Sequence, residues 1–170
     1  LARSFGLQFN PSERFSISGT FENGRIDDPQ SGEFKRTAGS ISVGYTAEDI
    51  RLGTSLEVRR EEGDQREQTV WLSRSNLSYA VNPDWRFVGE VNLARADTDG
   101  TNIRAAEFTE AIAGFAWRPI DNDRVNGLIR FQYFEDLGPV GQLTGSGQTE
   151  SPKQVSKIFS ADFNFDLSEK

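Results

Sequence analysis

The chain has 170 residues, of which 35% are hydrophobic, 26% are charged and 11% are aromatic, and its formal net charge is −7. This composition excludes a disordered tail, and the lack of any run of 18 apolar residues excludes a transmembrane helix. An acidic chain without a cluster of Lys and Arg also lacks the electrostatic footprint of a nucleic-acid binder, so we expect no nucleic-acid partner.

The chain contains no cysteine, no histidine and no methionine. Without cysteine it has no disulfides and no thiol chemistry. Without histidine it lacks the usual general base of hydrolases and the commonest ligand of transition metals. We therefore expect a protein that is not an enzyme and holds no metal or cofactor. Because position 1 is not methionine, we also expect that the chain follows a removed leader or is an excerpt of a longer protein.

Four short turn signals divide the chain at a constant interval. They occupy residues 10–15, 46–52, 82–87 and 118–125, and positions 11, 47, 83 and 119 lie 36 residues apart. Most of them contain proline, which presets φ, and all of them contain Asn or Asp, whose side chains bond back to the backbone in tight turns. Repeats of this kind indicate a structural unit that recurs along the chain. Here the predicted unit is a pair of strands.

Between these turns the residues alternate between apolar and polar with period 2, which is typical of strands with unlike faces. The pattern predicts nine strands in an antiparallel meander and no helix. In chain order, one face collects Phe5, Leu7 and Phe9; Phe15, Ile17 and Phe21; Ile41, Val43 and Tyr45; Leu52, Thr54, Leu56 and Val58; Leu77, Tyr79 and Val81; Trp85, Phe87, Val91 and Leu93; Ala111, Ala113, Phe115 and Trp117; Val125, Ile129, Phe131 and Tyr133; and Phe159, Ala161, Phe163, Phe165 and Leu167.

Three features favour a transmembrane barrel over a soluble one. The short turns alternate with longer polar segments, 22–36, 59–67, 95–107 and 135–153, which predict long loops at the opposite end. Aromatic residues of the apolar face cluster beside the short turns, as an interfacial girdle requires. The other face is too polar for a soluble core, and the predicted strands 50–59, 85–94 and 125–134 each supply the ten residues that a tilted spanning strand needs.

The turns 82–86 and 118–124, with Gly114, Phe115 and Trp117 before and Phe131 and Tyr133 after, resemble the hairpins of Gram-negative outer-membrane β-barrel proteins. They are similar in particular to barrel regions that anchor large, multidomain bacterial surface proteins. The resemblance covers most of the chain and implies no catalytic residues. In such a barrel the short turns face the periplasm and the long loops lie outside the cell. The expected partners are the lipid bilayer and lipopolysaccharide.

An odd number of strands cannot close on itself with antiparallel pairing, because the first and ninth strands run in the same direction. An open edge in lipid leaves backbone groups unsatisfied. Either residues 1–10 are not a spanning strand, which leaves eight strands, or the chain is a single barrel segment, residues 1–170, of a larger barrel completed by further domains or subunits. We favour the larger barrel.

Ten charged residues of the polar face are candidates for the lining of a lumen: Arg51, Glu57, Arg59, Arg74, Arg86, Glu90, Glu110, Arg118, Arg130 and Asp162. They either form a selectivity lining or pair across strands and fill a small lumen. The predicted function is an outer-membrane barrel that acts as a membrane anchor or passive conduit. A porin-like diffusion channel and a soluble ligand-binding barrel remain alternatives.

The predicted loops also carry acidic residues that could bind lipopolysaccharide through divalent cations: Asp27, Asp28, Glu61, Glu62 and Asp64. Arginines and lysines lie among them, so pairing within the loops explains the same sequence.

Overall fold

The computed structural model describes residues 2–28, 32–63, 66–98, 104–121, 124–137 and 153–166. They form one sheet of nine antiparallel strands in chain order. The strands are β1 Ala2–Ser12, β2 Phe15–Asp28, β3 Gly32–Thr46, β4 Ile50–Gly63, β5 Arg66–Ala80, β6 Trp85–Thr98, β7 Arg104–Trp117, β8 Val125–Leu137 and β9 Lys153–Phe165. The described part of the chain has no helix long and apolar enough to cross a membrane. The prediction of an all-β, up-and-down meander is confirmed.

The register of the strands produces the two unlike faces that the alternation predicts. Residues directly opposite each other in antiparallel strands share a face. Ile41 of β3 pairs with Leu56 of β4, and Val91 of β6 pairs with Ala111 of β7. We call their side the apolar face and the other side, which carries Arg74 and its opposite residue Asn92, the polar face.

The turns between β1 and β2, β3 and β4, β5 and β6, and β7 and β8 lie at one end of the sheet, which we call the turn end. At the β5–β6 turn, the Asn82 side-chain oxygen accepts hydrogen bonds from the amides of Asp84 and Trp85, both at 2.9 Å. Asp84 in turn accepts from the amide of Ile120 at 2.8 Å, through its carboxylate. Asn82 therefore closes the β5–β6 turn, as the sequence indicates, and Asp84 joins this turn to the next one.

At the opposite end, which we call the far end, the prediction of long loops is wrong for the first three of the four predicted segments. β2 extends to Asp28 and β3 begins at Gly32, so most of the predicted loop 22–36 is strand. The segments 59–67 and 95–107 are likewise mostly strand, and of 135–153 the residues 138–152 lie outside the described ones. The strands are 11 to 15 residues long rather than ten. The physical reason is that the polar ends of the strands pair with their neighbours in the same register as the apolar parts.

The strands are staggered by a constant amount. A row of directly opposed residues passes through Phe15, Tyr45, Leu52, Leu77, Gly89, Ala113 and Phe131. This row crosses β2 at its first residue, but crosses β4, β6 and β8 two, four and six residues after their first residues. One residue of stagger per strand corresponds to a tilt of about 35°, from a rise of ~3.3 Å per residue and a strand spacing of ~4.8 Å. That tilt is in the range of closed membrane barrels.

The sheet is open at β1 and β9, which pair only with β2 and β8 among the described strands. Both edge strands run toward the turn end, since seven antiparallel strands separate them. β1 is a full strand of 11 residues, which confirms the count of nine and not the alternative of eight. Joining the two edges directly would create a parallel pair, so antiparallel closure needs an odd number of additional strands.

A glycine of the apolar face lies under an aromatic ring. Gly127 of β8 is opposite Phe163 of β9, and a Cβ atom built on it would lie 2.8 Å from the Phe163 ring. Gly127→Ala is therefore expected to lower the free energy of unfolding by about 1 to 2 kcal/mol, because the ring must move. Gly89→Ala is the matched control, since its Cβ meets the Phe87 ring at an ordinary 3.5 Å. Equal effects in an unfolding titration would contradict the close contact.

Candidate functional site

The apolar face is exposed over its whole breadth. In the described residues only Phe34 and Ala38 are buried hydrophobic side chains, and both lie on the polar face. Phe115 and Val91, in the middle of the sheet, are 46% and 41% exposed. Apolar residues at central positions of the polar face, such as Val88 and Ile112, are less exposed. The apolar face is therefore the more open side of the sheet, and no described residue covers it.

This exposed surface forms a band of limited height. In β6 it runs from Trp85 to Leu93 and ends at Arg95, and in β4 it runs from Ile50 to Val58. Nine residues span ~26 Å along a strand. Because the strands are tilted, the height of the band is ~22 Å. The apolar band of outer-membrane barrels is about 25 Å tall. The dimensions of the band match the hydrocarbon layer of such a membrane.

Aromatic rings line the edge of the band at the turn end. The ring pairs Phe15–Tyr45, Trp85–Trp117 and Phe87–Phe115 have centroids 4.7, 6.1 and 5.1 Å apart. All of these pairs connect directly opposed residues on neighbouring strands. The clustering of aromatic residues beside the short turns is thus a cross-strand arrangement, and it has the form of an interfacial girdle.

Ion pairs replace the apolar residues where the band ends at the far end. On the apolar face Arg60 lies 2.9 Å from Glu62, Arg95 lies 2.8 Å from Asp97, and Lys153 lies 2.6 Å from Glu135. The Tyr133 hydroxyl also donates a hydrogen bond to Glu135. Charged pairs of this density are suited to water and not to a hydrocarbon environment. The strands therefore project beyond the apolar band on this side.

The register places nine of the ten candidate charged residues on the polar face: Arg51, Glu57, Arg59, Arg74, Arg86, Glu90, Glu110, Arg130 and Asp162. Arg118 follows the last residue of β7 and belongs to a turn, where its amide donates to the Asp84 carbonyl at 2.8 Å. With Arg86 and Asp49 it lines a hollow of about 850 Å³ at the turn end.

Several of these charges are bound to one another or to amides. Arg59 lies 2.9 Å from Glu57. Asn92 donates to Glu90 at 2.8 Å and to Glu110 at 2.9 Å, and Gln132 donates to Glu110 at 2.7 Å. This chain of hydrogen bonds crosses β6, β7 and β8 near the middle of the sheet. Glu110 is therefore bound across strands, whereas the partners of Glu57 and Glu90 lie on the same strand as the carboxylate, and the two predictions for the charged lining both stand.

The other four candidate arginines of the polar face are less engaged. Arg86 donates to the Ser78 hydroxyl at 3.0 Å. Arg51, Arg74 and Arg130 are exposed, and their side chains make no hydrogen bond or ion pair within the described part of the chain. The polar face thus combines fixed carboxylates with guanidinium groups that can bind something else.

At the far end the polar face carries many apolar residues between charged ones such as Arg59 and Glu61, which the sequence interpretation missed. Phe108 and Phe134 form an edge-to-face pair with ring centroids 5.2 Å apart, and both lie on the polar face. Above the mid-sheet carboxylates this side carries Ile26, Phe34, Ala38, Val70, Leu72, Ala94, Ala96, Phe108 and Phe134. Here the Arg60–Glu62, Arg95–Asp97 and Lys153–Glu135 ion pairs lie on the opposite side, so the two faces partly exchange character where the strands leave the band. The sequence signal that could have revealed this is the alternation of apolar and polar residues, whose phase reverses within a strand.

Two of the acidic residues predicted to bind lipopolysaccharide are engaged within the sheet. Glu61 is 5% exposed on the polar face and accepts a hydrogen bond from Gln68 at 3.0 Å, so it cannot reach lipid. Glu62 is paired with Arg60. Asp64 and the side chain of Asp28 lie outside what the structure describes. Within the described residues, no group of three or more Asp, Glu, His or Cys side chains could hold a metal ion.

Comparison with solved structures gives one informative likeness. The chain superimposes on the copper transporter OprC with a TM-score of 0.54 and 14% sequence identity, over 99% of this chain and 34% of that one. No protein-family model matches the chain, and no curated protein matches it. The likeness extends over the whole antiparallel up-and-down sheet of nine strands. The chain spans about a third of the length of the matched transporter, and at this identity the likeness concerns the fold alone.

Proposed function

We propose that the chain is a wall segment of a larger outer-membrane β-barrel, which acts without chemistry as a membrane anchor or passive conduit. The observation that carries this proposal is the exposed apolar band, bordered by aromatic pairs at the turn end and by ion pairs at the far end. Exposed apolar surfaces of this extent are characteristic of membrane or partner contact. The likeness to an outer-membrane transporter supports the same location.

In this proposal the turn end lies in the periplasm and the far end projects outside the cell. The apolar band begins directly at the first residues of the strands, such as Trp85, so the turn end has no polar extension. The far end has one, which carries the Arg95–Asp97 and Lys153–Glu135 ion pairs. Strands that extend outward and short turns inside are typical of outer-membrane barrels. Lipid and lipopolysaccharide are the proposed partners of the band and its upper edge.

The polar face lines the lumen in this proposal, and the ten charged residues belong to that lining or to its periplasmic rim. Free guanidinium groups such as Arg51 and Arg130 favour a hydrated lumen near the turn end, as in the porin-like alternative. The Phe108–Phe134 pair favours a constriction near the far end, because apolar constrictions exclude water. Conductance of the full-length protein in planar bilayers distinguishes the two: an anchor or closed conduit is silent, whereas a porin conducts.

All three tryptophans lie on the apolar face and test the proposal directly. Trp85 and Trp117 stand at the turn-end edge of the band, and Trp71 stands opposite Val58 near its upper edge. When the full-length protein is reconstituted in vesicles of brominated phospholipid, most of its tryptophan emission is expected to be quenched. Acrylamide added to the water is expected to quench little, because the rings lie at the lipid boundary.

The soluble alternative predicts the reverse pattern. A soluble ligand-binding barrel packs its apolar residues inside, so brominated lipid would leave the emission unchanged and the protein would stay monodisperse without detergent. A single-tryptophan variant that keeps only Trp71 reports the upper edge of the band, and one that keeps only Trp85 reports the lower edge. Quenching of both by lipid is required, since the band must cross the whole layer.

A further inference from the structure

We propose that the polar face carries a binding site for a small oxyanion, in a hollow bordered on one side by Arg74. The inference deepens the proposed function and rests on it, because an anion reaches this hollow only if the polar face borders water. The hollow has a volume of about 270 Å³ and spans β2 to β5. Its lining includes six polar residues of the polar face, Ser16, Ser18, Ser42, Ser55, Arg74 and Asn76, together with Thr54 of the apolar face.

The guanidinium of Arg74 is uncommitted although carboxylates are near in the register. Ser55 and Asn92 lie directly opposite Arg74, so Glu57 and Glu90 are its diagonal neighbours. Glu57 instead pairs with Arg59 at 2.9 Å, and Glu90 accepts a hydrogen bond from Asn92 at 2.8 Å. Arg74 is exposed and has no partner within the described residues. Its planar array of donors is the group that proteins use most for oxyanions.

The hydroxyl groups form a row that leads to this guanidinium. Ser18, Ser42 and Ser55 are directly opposed on successive strands, and Ser55 is opposed to Arg74. No side chain in the described part of the chain bonds to these three hydroxyls, whereas Thr20 and Ser40, the adjacent pair, bond to each other at 2.7 Å. Each free hydroxyl offers one donor.

Two glycines make the floor of the hollow. Gly44 and Gly53 are directly opposed, and both lie on the polar face. A Cβ atom on Gly44 would lie 2.6 Å from the Ser16 hydroxyl, and one on Gly53 would lie 2.5 Å from the Asn76 side-chain oxygen. Larger residues would therefore fill the space. No carboxylate lines the hollow among the described residues. Hydroxyl and guanidinium donors around an open floor suit phosphate, sulfate or a carboxylate.

The test uses inorganic phosphate and the full-length protein in detergent at low ionic strength, where screening is weak. Phosphate binding is measured by broadening of its ³¹P resonance. We expect saturable broadening for the unchanged protein and a loss of affinity of about tenfold in Arg74→Gln, as expected for a charge-assisted hydrogen bond. Arg74→Lys, which keeps the charge, is expected to lose less.

Arg95→Gln is the matched control, because it removes one arginine from the opposite face, where Arg95 is bound to Asp97 at 2.8 Å. Its phosphate affinity is expected to stay within about twofold, since it removes the same charge far from the hollow. Equal losses of phosphate affinity in Arg74→Gln and Arg95→Gln would show that only the net charge of the protein matters, and would overturn the site. Ser42→Ala combined with Ser55→Ala tests the hydroxyl row, and unchanged affinity there would also overturn it.

The failure of this site is distinguishable from the failure of the proposed function. If brominated lipid quenches the tryptophans but phosphate shows no saturable broadening, the barrel stands and the anion site is wrong. If Arg74→Gln lowers the melting temperature and phosphate does not bind, Arg74 contacts another segment of the protein, which also overturns the proposal. If lipid does not quench the tryptophans, the barrel itself is wrong.

Discussion

Val91→Arg is expected to lower the free energy of unfolding in lipid vesicles by about 2 to 4 kcal/mol. Val91 is 41% exposed on the apolar face and lies within the band, between Phe87 and Leu93. A guanidinium at this depth must either lose its hydrating water or distort the bilayer so that water reaches it, and both cost free energy. Ile129→Arg is expected to have an equal or larger effect, because Ile129 stands midway between Val125 and Tyr133, at the centre of the band in β8.

Asn92→Arg is the matched control for this prediction. Asn92 is the next residue along β6 but faces the other side, where it lies between Glu90 and Glu110. An arginine there lies opposite Arg74 but has two carboxylate neighbours in a hydrated environment, so its cost is expected to be about 1 kcal/mol or less. Denaturant titration of the three variants in vesicles measures the difference. Similar costs for Val91→Arg and Asn92→Arg would mean that lipid does not contact the apolar face.

The sequence alone was sufficient for the strand count and for most of the face assignment. Alternation of apolar and polar residues is local, and it survives from Phe5 in β1 to Phe165 in β9 because one side of every strand is apolar. The turn residues are equally local, since Asn82 closes its turn with its own side chain. The alternation with period 2 and the turn residues were therefore enough to predict the meander, its antiparallel pairing and the nine candidates on the polar face.

The extent of the strands at the far end could not be read from the sequence, because it depends on partners distant along the chain. A segment such as Arg60-Glu61-Glu62 has the composition of a loop, yet it lies in β4 opposite Glu67, Gln68 and Thr69 of β5. The Arg60–Glu62 ion pair and the Gln68–Glu61 hydrogen bond stabilise strand where propensity does not. The same limit applies to the candidate charges, since composition does not tell that Glu57 is paired and Arg74 is not.

The exchange of faces at the far end has a physical cause, which also explains why the strands continue beyond the band. In the proposed barrel the outside solvent is hydrocarbon within the band and the inside is polar, so the apolar residues point outward. Beyond the band the outside is water, and the strands bury their apolar residues on the inner side, as a soluble sheet does. Phe34 is the clearest case: it is 5% exposed on the polar face, between Ile26 of β2 and Gly63 of β4.

Phe34→Ala is accordingly expected to weaken the far end of β2, β3 and β4 by about 3 kcal/mol, since truncation of a buried phenylalanine leaves a cavity. The measurement is amide hydrogen exchange of these strands, and the rates are expected to rise about 100-fold through local opening. Lys35→Ala, at the next residue on the exposed side, is expected to leave them within about twofold. The substitutions with large expected effects are thus on the apolar face within the band, at Val91, and on the polar face beyond it, at Phe34. A larger effect of Lys35→Ala than of Phe34→Ala would show that the outer face stays buried beyond the band and would refute the exchange of faces.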